Sequence, residues 1–119
     1  MNPTAVPPSL CIFCRIVQGE IHANKLYEDD DLIAFKDLEP QAPFHILVVP
    51  KRHLESMNKV SLEDAALLGK MNLVGAKLAQ GEGIKGYRLV VNTNEQGGQT
   101  IFHLHLHVLG GRQMLWPPG

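Results

Sequence analysis

Three histidines at alternate positions, His103, His105 and His107, stand in the stretch IFHLHLHVLGG (101–111) and make up half of the six in the chain. Successive side chains of an extended strand point to opposite faces, so the imidazoles share one face and Phe102, Leu104, Leu106 and Val108 share the other. Neighbouring rings then stand about 6.5 Å apart along the strand, close enough to hold one small anionic ligand. A free imidazole has a pKa of about 6.5, and nearby positive charge lowers it, so a crowded set keeps a neutral, nucleophilic ring available at pH 7. The same crowd offers N–H donors to phosphate oxygens that gain charge during transfer. Two other readings fit the strand alone. One is a metal centre in which two strand histidines and a third ligand activate water. The other is a strand whose exposed face merely carries histidine.

The only two cysteines, Cys11 and Cys14, have C-x-x-C spacing. On a short helix, positions i and i+3 share a face, so both thiolates can reach one ion. In a reducing compartment such a pair suggests a metal or redox site more than a structural disulfide. Three uses stay open: a zinc site, buried inert thiols, and thioredoxin-like redox chemistry. The last expects a strand-to-helix junction in a parallel-sheet unit, which the pattern lacks.

The elements that must position these residues follow from periodicity. Ile12, Phe13, Ile16 and Val17 recur at helical spacing and stop at Gly19, which predicts a short N-terminal helix. KLYED and LIAFKD, either side of an acidic turn, predict a hairpin without the usual Asn-Gly or Asp-Gly. Phe44–Val49 predicts an apolar strand stopped by Pro50. A long helix begins in a capping-box-like Ser61…Asp64 and carries Leu67, Leu68, Met71, Val74 and Leu78 on one face before Gly81 and Gly83. Tyr87–Asn92 and Thr100–Gly110 predict the last two strands, joined by a loop that Gly97 and Gly98 allow to approach a ligand closely. The sum is an antiparallel sheet with a helix packed on it, an α+β domain. Residues 11–119 form one domain, including a C-terminal tail at 110–119 whose two prolines exclude a helix, and residues 1–10 form a flexible tail.

At 119 residues the chain can bury a single core without disulfides. Its 45% hydrophobic and 19% charged content is that of a soluble globular protein with no membrane-spanning run. A net charge of −1, with no basic cluster beyond PKRH, gives no footprint for nucleic acid. The N-terminus has no apolar core of a secretory signal, which predicts a cytoplasmic protein.

HLHLHVL matches the alternating signature of the histidine triad (HIT) family of nucleotide-binding hydrolases and transferases. FKDLEPQAPFHILVVPKRH, VVNTNEQGGQT and the ending GGRQMLWPPG resemble the Hint branch, the purine nucleoside phosphoramidases, and the likeness runs from Cys11 to Gly119. It implies the HIT-like fold, a homodimer, and hydrolysis of P–N bonds in purine nucleoside phosphoramidates through a nucleotidyl-histidine intermediate, with no cofactor needed for catalysis. His105 would be the nucleophile, His107 would contact the phosphate and scissile region, and His45 would be a supporting fourth histidine. Asn92, Gly98 and Thr100 would surround the phosphate, with threonine where the family commonly has serine. Asp37 resembles the ribose-binding acid, and Phe13, Ile16, Phe35 and Leu38 would line the purine pocket.

In other branches a similar cysteine pair joins the histidine after PK and the first triad histidine in binding structural zinc, which maps here to Cys11, Cys14, His53 and His103. Well-known Hint-branch members lack that pair, so His103 is implied either as a ligand or as a buttress for His105. Trp116 would lie near a partner's site and help select the leaving group.

Taken without the resemblance, each of these residues has a plainer use. Asp37, Asn92 and the Gly97–Gly98 pair suit turns, the apolar set suits a core, and Trp116 could anchor the tail to its own subunit. The acidic run Glu28–Asp31 reads as a solvated loop before a cation site. A dinucleoside polyphosphate hydrolase of the same family and a nucleotide-sensing scaffold are the competing functions.

Overall fold

Leu32–Lys36 and Phe44–Pro50 are almost unbroken apolar runs, and a strand with that pattern must be covered on both faces. The computed structural model, which describes residues 10–119, shows them as the inner strands β2 and β3. They belong to an antiparallel five-stranded sheet of order β1-β2-β3-β5-β4, with β1 at Lys25–Glu28, β4 at Tyr87–Val90 and β5 at Leu106–Gly110. The short helix α1 spans Ile12–Val17 and the long helix α2 spans Ala65–Gly81. The expected α+β architecture is present, an antiparallel sheet with one long helix and a short N-terminal helix. The flexible tail expected at residues 1–10 lies outside the described residues except for Leu10. Among the described residues, no helix is long and apolar enough to cross a membrane.

Alternation along the strands sorts the core into two layers. Leu32, Ala34, Ile46, Val48, Leu104, Leu106 and Val108 pack with Met71 and Ala79 of α2. Ile33, Phe35, Leu47 and Val49 pack on the other face with Cys11, Phe13, Cys14 and Ile16 of α1. A β-carbon on Gly75 would come within 2.8 Å of Val108 Cγ2, so glycine lets α2 lie tight against β5.

The helix is entered through a 3-10 turn at Leu62–Asp64, where the Ser61 amide donates to Asp64 Oδ2 at 2.9 Å. The hairpin without a glycine turn is closed by Asp29, whose Oδ1 accepts from the amides of Asp31 and Leu32, both at 2.8 Å. The acidic run is not simply solvated. Lys70 pairs with Asp29 and Asp31, and Lys51 with Glu28.

Two strands are shorter than expected. β5 begins at Leu106, not Thr100, so His103 and His105 precede it. The register explains this: Val48 faces Leu106, and the next residue in phase, Leu104, would face Pro50, which has no N–H for the ladder. The Leu104 amide donates to Leu54 O instead, at 2.5 Å. β4 stops at Val90, leaving Asn92 free of the sheet. Alternation survives beyond the ladder, with Leu104 in the α2 layer and His103 and His105 against Phe13 on the other side. Phe102 is only half buried and joins neither core layer.

Candidate active site

On the α1 side of the sheet a cavity of about 600 Å³ opens between α1, the end of β2 and the 92–101 loop. Phe13 and Ile16 of α1 form one wall, and Phe35 sits edge-on to Phe13 with ring centroids 5.6 Å apart. Asp37 and the 93%-exposed Leu38 stand at the rim. His45, His105 and His107 line the same space, as do Asn92, Gly98 and Thr100. Gly98 adopts φ +86°, a backbone state that glycine takes without steric cost. The buried Gln99 side chain staples this loop by accepting from the Asn94 amide at 2.9 Å and donating to Glu55 O at 2.7 Å. Every residue expected around a nucleotide therefore meets in one cavity. His103 does not line it, and neither does Trp116, which is 83% exposed.

Hydrogen bonds assign the tautomer of each ring. A carbonyl only accepts, so the 2.7 Å contact from His105 Nδ1 to His103 O puts the proton on Nδ1 and leaves Nε2 as a lone pair. The Gln41 amide donates to His45 Nδ1 at 3.0 Å, which puts the His45 proton on Nε2. That proton faces His107 Nδ1 at 2.9 Å and Asp37 Oδ2 at 3.3 Å. His107 thus accepts at Nδ1 and carries its own proton on Nε2. A lone pair on His105 and an N–H on His107 stand side by side, their ring centroids 4.9 Å apart.

Burial disfavours the charged form of all three rings. It lowers the His105 pKa, with only partial opposition from the hydrogen bond to His103 O and from the Asp37 charge. Burial, with His105 and His45 as neighbours, brings His107 down to about 4 against a smaller pull from Asp37. His45 is lowered by burial, again opposed by Asp37.

A second group lies behind the first. Cys11 caps α1, its Sγ accepting from the Cys14 amide at 3.2 Å. Cys11 Sγ is 3.2 Å from His103 Nδ1, Cys14 Sγ is 3.2 Å from His53 Nδ1, and the two Nδ1 atoms are 3.1 Å apart. All four atoms lie within 4.8 Å of one another.

The scavenger mRNA decapping enzyme C-terminal binding family matches residues 10–116. A HIT-like protein of Synechococcus elongatus is 50% identical over 109 residues, 91% of this chain and 96% of that protein. The chain belongs to the histidine triad family. A HIT family hydrolase from Legionella pneumophila superposes with a TM-score of 0.89 at 52% identity, covering 92% of this chain and 99% of that one. A Zn-bound histidine triad family protein from Mycobacterium smegmatis aligns with a TM-score of 0.79 at 31% identity, over 89% of this chain and 78% of that one.

Within this histidine triad protein the two clusters differ in what they can hold. A tetrahedral zinc ion with bonds of about 2.3 Å to sulfur and 2.0–2.1 Å to nitrogen needs ligand-to-ligand edges of roughly 3.3–3.8 Å, near the separations in the cysteine cluster. His103 Nε2–H donates to Pro50 O at 2.7 Å, which aims the Nδ1 lone pair at the other three ligands. His53 Nε2 is buried without a partner, so no competing bond turns that ring away. The donor set fits a structural ion.

Asp37, His45 and His107 also gather three potential ligand atoms. There the Gln41 amide occupies His45 Nδ1 and fixes the Nε2 proton at the centre of the group, which suits proton sharing and opposes a cation. Residues that strand periodicity did not single out complete the cavity, among them Ile21, His22, Asn24 and Gln41. Their sequence signal is faint because they sit in irregular segments.

Proposed function

We propose that this histidine triad protein is a hydrolase of the Hint type that cleaves the P–N bond of purine nucleoside phosphoramidates, with His105 as nucleophile. The observation that carries the reading is the His105 tautomer: its Nδ1–H is spent on a backbone carbonyl, so the neutral ring has a free Nε2 lone pair in a nucleotide-sized cavity. His105 Nε2 attacks the α-phosphorus and the P–N bond breaks. The departing amine takes its proton from His107 Nε2, and His45 shares its Nε2 proton with the Nδ1 of His107. Water then attacks the phosphorus of the nucleotidyl-His105 intermediate and gives its proton to His107, the bond from phosphorus to His105 Nε2 breaks, and the nucleoside monophosphate leaves.

Phe13, Ile16, Phe35 and Leu38 would enclose the purine, Asp37 the ribose, and Asn92, Gly98 and Thr100 the phosphate oxygens. The likeness to a HIT family hydrolase of Legionella pneumophila and the GGRQMLWPPG ending support this assignment. Zinc bound by Cys11, Cys14, His53 and His103 would hold α1 to the sheet with no open coordination position. His103 then supports His105 through its carbonyl alone. We place the protein in the cytoplasm, where two adjacent thiols stay reduced. We also assign it to a homodimer in which exposed Trp116 meets a partner near its site.

The name of the matched decapping family favours one second reading, hydrolysis of a dinucleoside polyphosphate. Relative turnover of an adenosine phosphoramidate and diadenosine triphosphate separates the two. The decisive experiment is rapid acid quench followed by mass spectrometry: a nucleotidyl group on His105 is expected, and turnover with no adduct on any histidine would defeat the mechanism.

A further inference from the structure

The segment after β5 presses on the loop that carries Gln41. Gly111 adopts φ +87°, and a β-carbon there would lie 3.0 Å from Pro43 Cβ and 3.4 Å from the Phe44 nitrogen. Both the conformation and the crowding favour glycine. The next residue, Arg112, turns its guanidinium onto the Gln41 carbonyl, with Nη2 at 3.2 Å and Nε at 3.3 Å. Inside the loop the Glu39 amide donates to Asp37 Oδ1 at 2.8 Å, and Gln41 Nε2 donates to Glu39 O at 3.0 Å. Pro40 and Pro43 stiffen the chain on either side. The backbone held in this way includes the amide that donates to His45 Nδ1.

We propose that Arg112, seated by Gly111, is a positioning residue for the hydrolytic site: by gripping Gln41 it keeps the Gln41 amide on His45 and so fixes which way His45 and His107 share their proton. This rests on the reading of His107 as proton donor to the leaving group. An amide can only donate, so while it stays in place His45 Nδ1 is a lone pair and His107 Nε2 carries a proton. If the loop slips, the Asp37 carboxylate, tied to it through the Glu39 amide, leaves His45 Nε2 as well, and His45 is free to carry its proton on Nδ1. Its Nε2 then becomes an acceptor, the His107 proton moves to Nδ1 to meet it, and the cavity loses its donor. Arg112 does not line the cavity, so its effect must pass through the loop.

The test uses ring-nitrogen correlation spectra of 15N-histidine-labelled protein at pH 7, for the native chain, R112A, R112K and G111A, with melting curves beside them. Native His45 should show a lone-pair Nδ1 and a protonated Nε2. In folded R112A the His45 and His107 signals should move to mixed-tautomer positions. Turnover of an adenosine phosphoramidate should then fall about tenfold in kcat, with KM changed by less than about twofold. R112K should recover part of this, because a point charge cannot span the carbonyl as the guanidinium fork does. G111A should shift the same signals in the same direction, and with R112Q it carries the comparison if R112A does not fold.

Native tautomers in the folded variants would overturn the proposal, whatever happens to kcat. A native chain that cleaves no phosphoramidate, but whose tautomers switch in R112A, would retire the substrate assignment and leave the positioning role standing.

Discussion

Acidifying the assay from pH 7.5 to 5.5 should cost kcat/KM less than it would an enzyme built on ordinary histidines, which titrate in the middle of that range. A free imidazole with a pKa of about 6.5 is only about one-tenth neutral at pH 5.5, so an enzyme relying on unperturbed rings would lose about tenfold. His107, brought down to about 4 by burial and by its histidine neighbours, stays more than nine-tenths neutral there. His105 and His45 are shifted in the same direction.

The measurement is kcat/KM for an adenosine phosphoramidate between pH 4.5 and 8 at constant ionic strength, since this ratio reports the free enzyme and not the complex. An acid limb displaced below 6.5 is expected. A limb with its midpoint at 6.5 or above would refute the argument that burial tunes the site. Stability follows the same proton balance. From about pH 6.5 down to about 4 the unfolded chain binds protons at position 107 that the folded chain refuses, so the folded state loses stability as pH falls through that window. Denaturant midpoints measured over the same pH series check the sign.

Replacing His105 by Asn should cut phosphoramidate turnover by roughly 10⁴-fold or more and remove the acid-stable adduct, while the melting temperature stays within a few degrees of native. Equal adduct in the variant would place the nucleophile elsewhere. Cys14→Ser should lower copurifying zinc, measured by plasma emission, and the melting temperature together. Prolonged chelation of the native protein should unfold it before it inactivates the folded fraction; prompt inactivation with an unchanged melt would instead make the ion catalytic. Gly75→Ala should destabilise the protein, because overpacking against Val108 costs about 1–3 kcal/mol and the helix-propensity gain returns only about 1 kcal/mol. A rise in the urea midpoint would contradict the tight approach of α2 to β5.

The sheet and the faces of its strands were legible in the sequence because alternation is a local signal: Leu104, Leu106 and Val108 go to one layer and their histidine neighbours to the other. The cavity lining was legible through family likeness, since nothing in the spacing of Phe13 or Asn92 distinguishes a pocket from a core or a turn. Strand ends were less visible. The start of β5 depends on Pro50 lying in register opposite Leu104, which is a pairing between distant segments. The fate of Asp29 depends on Lys70, 41 positions further along the chain. Gln41 could not be singled out because its contribution to His45 is a backbone amide, a group every residue except proline possesses.

Parity divides the labour of this sheet. Across residues 32–35 of β2, 44–49 of β3 and the run from 103 to 108, even-numbered residues face the long helix's layer and odd-numbered ones meet the histidines, the thiols and the cavity. A library that recombines aliphatic residues at even positions would vary thermal robustness while leaving the reaction centre's own side chains untouched. Inserting one residue after His105 would flip the residues on one side of it, driving imidazoles into the hydrocarbon layer and leucines toward the ligand. The gene therefore tolerates substitution on one side of the sheet far better than any change of length within it.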